Sequence, residues 1–104
     1  MQLIDIDVRR LITKEYENAA LIHGEFNNSS HESYGIIKEE YDEMQQEMQE
    51  ISIRLEYYWK AVKSDNYRTQ RLDLQELLEN TTCMICEAVQ FAAMCDKALK
   101  SLER

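Results

Sequence analysis

The stretch of this 104-residue chain best equipped for chemistry is Glu39-Glu40-Tyr41-Asp42-Glu43, four carboxylates within five consecutive positions. A helix turns about 100° per residue, so Glu40 and Glu43 project about 60° apart, and Glu39 and Glu43 about 40° apart. They share one side of the helix, one turn apart, and Glu40 borders an apolar stripe containing Ile37 and Met44. Like charges at this spacing repel by a few tenths of a kcal/mol when exposed, and by more when partly buried. A divalent cation relieves that repulsion, and hard oxygen ligands that leave room for water suit Mg²⁺. A plain solvated acidic face gives the same spacing, because Glu32, Glu47, Glu50 and Glu56 occupy the same segment.

A second acid stands out for its surroundings. Glu87 lies within Cys86-Glu-Ala-Val-Gln-Phe-Ala-Ala-Met94, and a charge among so many apolar neighbours calls for either an exposed face or a partner. Gln90 follows three residues later on the same side. If their two helices pack antiparallel, Glu87 and Gln90 face Glu40 and Glu43, a recurring way for a helical bundle to hold metal; the alternative is a Glu87 that faces water. His23 and His31 flank the loop that precedes the acidic helix. They, with Asn27 of the loop, have the groups to contact a base or phosphate, although His residues there also serve as helix punctuation. Trp59 can stack a base or pack in a core. Lys97, Lys100 and Arg104 can meet phosphate or complement a helix C-terminus. There is no G-x-S-x-G, glycine-rich phosphate loop or H-E-x-x-H, so any catalysis rests on carboxylates and metal.

The elements that must position these groups are helical. The sequence has 2 Gly and no Pro, which leaves strands almost no turn chemistry. One domain over residues 1–104 is expected, all-α, as an antiparallel bundle of about three long helices. The first stretch runs from about Asp5 to Ile22, with Val8, Leu11, Ile12, Tyr16, Ala19 and Ala20 as its stripe, and stops at His23-Gly24. Ser29 with Glu32 reads as a capping box for a second helix from His31 to about Lys63, long enough that a kink near Ile51–Arg54 is considered. A connection over Ser64–Gln70 leads to a third helix from about Leu72 to Leu102, with Leu74, Leu77, Leu78, Ile85, Val89, Leu99 and Leu102 on its apolar side. Three such helices bury little alone, so a homodimer or homotetramer is expected to complete the bundle.

The formal charge of −8 argues against a nucleic-acid partner, whose phosphates call for clustered Lys and Arg. Cys83 and Cys86 form a C-x-x-C with no second ligand pair, so buried or half-buried thiols in a reducing cytoplasm are expected. The sequence has neither the basic start and apolar core of a signal peptide nor a membrane-length apolar run, which fits a cytoplasmic protein.

Glu39-Glu40-Tyr41-Asp42-Glu43 matches the E-E-x-x-E half of the signature of MazG-like all-α nucleoside triphosphate pyrophosphohydrolases, and Glu87-Ala-Val-Gln90 matches the later E-x-x-D half except at its last residue. The stretches His23-Gly-Glu-Phe-Asn-Asn-Ser-Ser-His31-Glu32 and Glu87-Ala-Val-Gln-Phe-Ala-Ala-Met94 resemble a phage- and prophage-associated branch of that family, over roughly residues 8–100. The resemblance implies Mg²⁺-dependent (or Mn²⁺-dependent) cleavage between the α and β phosphates of a nucleoside triphosphate, giving a monophosphate and pyrophosphate. It implies metal on Glu40, Glu43 and Glu87, with Gln90 at the fourth position, and a water-orienting role for Glu39 or Glu43. Gln90 offers an oxygen but no charge, which weakens metal binding; Glu76 and Glu79, earlier on the same helix, are candidate substitutes. The competing expectation is a catalytically degenerate helical module that binds nucleotide, metal or a protein.

Overall fold

The computed structural model describes residues 2–104, and among these it contains three helices and no strand. The first, α1, covers Gln2–His23. It stops where expected: Gly24 takes φ +91°, a left-handed conformation that L side chains rarely adopt, and its N–H donates to the Ala20 carbonyl at 2.9 Å. The second, α2, covers Ser30–Lys63, capped by Ser29, whose hydroxyl accepts from the Glu32 N–H at 3.1 Å. The capping box closes one residue further upstream than its usual form. The Glu32 carboxylate accepts from the backbone N–H and side-chain amide of Asn28, which offers two donors together. The helix runs through Ile51–Arg54 without a break, since no Pro or Gly there forces one.

The third helix, α3, covers Tyr67–Glu103 and begins five residues before the expected Leu72. Asn66 caps it, its side-chain oxygen accepting from the Thr69 N–H at 3.0 Å. Asp65, at φ 53°, turns the chain sharply enough for a connection of three residues, Ser64 to Asn66. The polar run Tyr67–Gln70 carries no apolar stripe, so the cap rather than the stripe marks this start.

α2 and α3 form a long antiparallel hairpin, with Arg54 beside Asp73 at one level and the Asn27 N–H on Ser101 Oγ at the far end. α1 packs against α3, and among the described residues its backbone does not approach that of α2, so α3 stands between its two neighbours. The three helices therefore form an open arrangement, 58 × 30 × 22 Å. Its radius of gyration is 17.6 Å, against about 13 Å for a compact chain of this length.

The hairpin seam explains the thin interior. On α2 the residues turned to α3 alternate between two columns, each repeating every seven residues. Ile37, Met44, Ile51 and Tyr58 form one; Ser33, Glu40, Glu47, Arg54 and Ala61 form the other. One column is apolar, the other largely polar or charged. Among the described apolar residues only Ala61 and Ala93 are buried, and Leu74, Leu78, Leu99 and Leu102, expected in the core, are exposed. No described helix is long and apolar enough to cross a membrane.

Candidate functional site

The polar column of the α2 seam carries the chemistry. Glu40 lies in it, half-buried, and Glu43 projects one turn later at its exposed edge. From α3, half-buried Glu87 meets them, so that one oxygen from each of Glu40, Glu43 and Glu87 lies within 4.8 Å of the others. Three carboxylates at this separation cannot all be charged without strong repulsion. Desolvation chiefly, then a hydrogen bond with Glu43 and the charges of Glu43, Glu40 and Glu47, push the Glu87 carboxyl from 4.5 up to about 7. The Glu43–Glu87 hydrogen bond requires one proton between the pair. Glu40 is also raised, by desolvation first and then by Glu43, Glu39 and Glu15.

Glu40 Oε2 and Glu87 Oε2 are shut away from solvent with no hydrogen-bond partner. Two buried acceptors without donors, inside a repelling cluster, form an arrangement that a bound cation satisfies. The donor set is all oxygen, the chemistry of Mg²⁺ or Mn²⁺ rather than of a soft metal.

The other expected site residues are placed more variously. Glu39 is exposed and acts on the cluster through its charge at Glu40. Gln90, one turn beyond Glu87, lines a groove of about 370 Å³ between α1 and α3, together with Leu11, Glu15 and Asn18. Glu76 and Glu79 are exposed and do not join the carboxylate trio. His31 is exposed in the first turn of α2. Asn27 is only 2 % exposed, and its contacts are internal. Its N–H donates to Ser101 Oγ at 2.8 Å, its side-chain amide donates to Ser33 Oγ at 2.8 Å, and its carbonyl accepts from Arg104 at 3.0 Å. It thus ties the loop to both long helices and helps to line a cleft of about 490 Å³ with Ser29, Tyr34, Ile37 and Arg104. Ile37 places this cleft one turn before Glu40.

Of the C-terminal cations, Lys97 is buried, Lys100 pairs with Asp96 at 2.7 Å over the Tyr16 ring, and Arg104 lies over Phe26. Trp59 is exposed. Cys83 and Cys86 are exposed rather than buried, Cys95 is half-buried, and all three are free thiols. Desolvation chiefly, with the charges of Glu47, Glu79 and Glu87, holds the Cys83 thiol above its ordinary value, which suppresses a reactive thiolate.

Two members of the site's electrostatics escaped the sequence reading. Glu47 occupies the same seam column as Glu40, seven residues on, a spacing that the sequence does display. Glu15 sits half-buried on α1 at three and four residues from Ile12 and Leu11, an acid on an apolar flank. No family profile matches the chain, and no curated protein or solved structure matches it significantly.

Proposed function

We propose that this chain is a Mg²⁺-dependent nucleoside triphosphate pyrophosphohydrolase of the MazG-like kind, hydrolysing the α–β phosphate bond to a nucleoside monophosphate and pyrophosphate. The observation that carries the reading is the convergence of Glu40, Glu43 and Glu87 from two separate helices, with Glu40 Oε2 and Glu87 Oε2 buried and unpartnered. The motif resemblance and the all-helical fold agree with it.

In this reading Glu40, Glu43 and Glu87 would hold the cation, which would supply neutralisation of charge developing on the phosphates and acidify water. Glu43, the most exposed of the three, and Glu39 beside it orient the attacking water and take its proton. The buried pair fixes the site's position on the hairpin while Glu43 remains open to substrate. The cleft at the start of α2, one turn from Glu40, accommodates the nucleoside, with Tyr34 and Arg104 in its lining. The protein acts in the cytoplasm, as an oligomer.

Gln90 favours a second reading, a scaffold that binds nucleotide or metal without turnover, because it supplies no negative charge where the motif has an acid. The deciding experiment measures pyrophosphate released from a panel of ribo- and deoxynucleoside triphosphates with Mg²⁺, Mn²⁺ or EDTA. Metal-dependent release, abolished by Glu43→Gln with the helical circular dichroism unchanged, is the expected result. Full activity in Glu43→Gln would remove the site assignment, and no release from any nucleotide would leave the binding scaffold.

A further inference from the structure

Gln90 leaves the carboxylate site one negative charge short of the motif that it otherwise matches, and Glu76 and Glu79 of the same helix stay outside the trio. The helix on the other flank of α3 offers an acid. On α1, Glu15 projects about 40° from Leu11 and about 60° from Ile12. It therefore belongs to the apolar flank that packs on α3, and unlike Lys14, Glu17 and Asn18 it is half-buried rather than exposed. None of the ion pairs among the described residues includes it. A half-buried carboxylate without a cationic partner weakens a fold, so stability does not account for it.

What Glu15 faces on α3 is the flank of the carboxylate site. It lines the α1–α3 groove with Cys86 and Gln90, the residues one before and three after Glu87. Lys14 lines the same groove, but it is exposed and forms no ion pair with Glu15. Gln90 projects about 60° from Glu87, so the groove runs along the side of α3 next to the column that meets Glu40. The charge of Glu15 reaches α2 as well: after desolvation, Glu43 and Glu39, it is a further cause that raises Glu40. Glu43 and Glu39 are neighbours of Glu40 on one helix, whereas the backbone of α1 does not approach that of α2. The seating of α1 on α3, and not proximity in sequence, brings this charge to Glu40.

Mg²⁺ held by a few carboxylates keeps several waters in its shell, and those waters donate to acceptors around it. Glu40 and Glu87 bring buried, unpartnered oxygens for the ion itself. Glu15 does not belong to the group whose oxygens lie within 4.8 Å of one another, so its distance suits an acceptor for that water rather than a direct ligand. We propose that Glu15 is the fourth carboxylate of the cation site, supplying from α1 the negative charge that Gln90 lacks and accepting hydrogen bonds from water held by the cation. The inference rests on the reading of Glu40, Glu43 and Glu87 as that site, and not on the reaction catalysed.

Titration calorimetry of the full chain with magnesium chloride alone reads this role. Glu15→Gln keeps the shape of the side chain and should weaken Mg²⁺ binding about tenfold, the lower end of what loss of a group behind the direct ligands costs, with the helical circular dichroism unchanged. Glu17→Gln removes an exposed acid about 160° round α1 from Glu15, beside Arg10 and Thr13, and should shift the dissociation constant by less than about twofold. A second measurement needs no variant. Mn²⁺ added to wild type at a small fraction of the protein concentration should broaden the side-chain carboxyl resonance of Glu15 well before that of Glu17. Unchanged Mg²⁺ affinity in folded Glu15→Gln, an equal loss in Glu17→Gln, or Glu17 broadened as early as Glu15 overturns the inference and leaves the trio as the site. A wild type that binds no Mg²⁺ overturns both.

Discussion

Glu87→Gln tests the carboxylate site through stability rather than turnover. Glu87 is raised from 4.5 to about 7 by desolvation and by Glu43, Glu40 and Glu47, so above pH 7 the fold must hold an anion that it disfavours. At full value that shift corresponds to about 3 kcal/mol, and water reaching the half-buried carboxyl screens it to about 1–2 kcal/mol. The sign follows from proton counting. Between about pH 4.5 and 7 the folded state binds more protons than the unfolded, so stability falls as pH rises through that window and the deficit is complete above it. Glutamine has nearly the same shape and no charge, and it can donate to Glu43 where the protonated acid did. Without divalent metal at pH 8, Glu87→Gln should therefore melt higher than wild type, by about 4–8 °C for each kcal/mol recovered. The gap should close on titration to pH 4, where Glu87 is protonated in both states. Saturating Mg²⁺ should reverse the order, because it stabilises wild type by about 2.7 kcal/mol at one hundred times its dissociation constant and the variant much less. Differential scanning calorimetry with and without EDTA reads all three comparisons. A variant that melts lower than wild type at pH 8 without metal, or gains as much from Mg²⁺, would refute the electrostatic account of this site.

Gln90→Asp should raise Mg²⁺ affinity by about tenfold in titration calorimetry, as one more anionic ligand joins the trio; unchanged affinity would assign Gln90 to the α1–α3 groove and not to the metal. Arg54→Ala should destabilise the protein by about 2–3 kcal/mol in urea unfolding, because buried Asp73 loses the guanidinium 3.8 Å away while its Oδ2 already lacks a partner. Adding Asp73→Asn should recover part of that loss, and no recovery would mean that Arg54 acts by packing alone.

The three helices were legible because their boundaries have local chemical causes. Ser29 and Gly24 mark their ends through side-chain capping and left-handed φ, both properties of single residues. The start of α3 is less legible, because Tyr67–Gln70 shows no apolar period and the Asn66 cap lies inside a polar connection. The meeting of Glu40, Glu43 and Glu87 was half legible. Spacing put Glu40 and Glu43 together, but bringing Glu87 to them required the antiparallel register of two long helices. The position of α1 was not legible at all. An apolar stripe tells which side of a helix is covered and leaves open which helix covers it, and α1 chose α3 alone.

The two columns of the α2 seam connect stability with function. Glu40, Glu47 and Arg54 take positions where a hairpin built for stability would carry Leu or Ile, and each separates apolar contacts that would otherwise form one continuous core. A hairpin interrupted in this way has little apolar contact to hold its helices together, and it also contains the unpartnered buried oxygens Glu40 Oε2 and Glu87 Oε2. On another flank of the same helix, Tyr34, Tyr41, Met48 and Leu55 form an exposed apolar column. The seam thus gives up apolar contact where Glu40 and Glu87 meet, while apolar side chains of the same helix stay uncovered beside it.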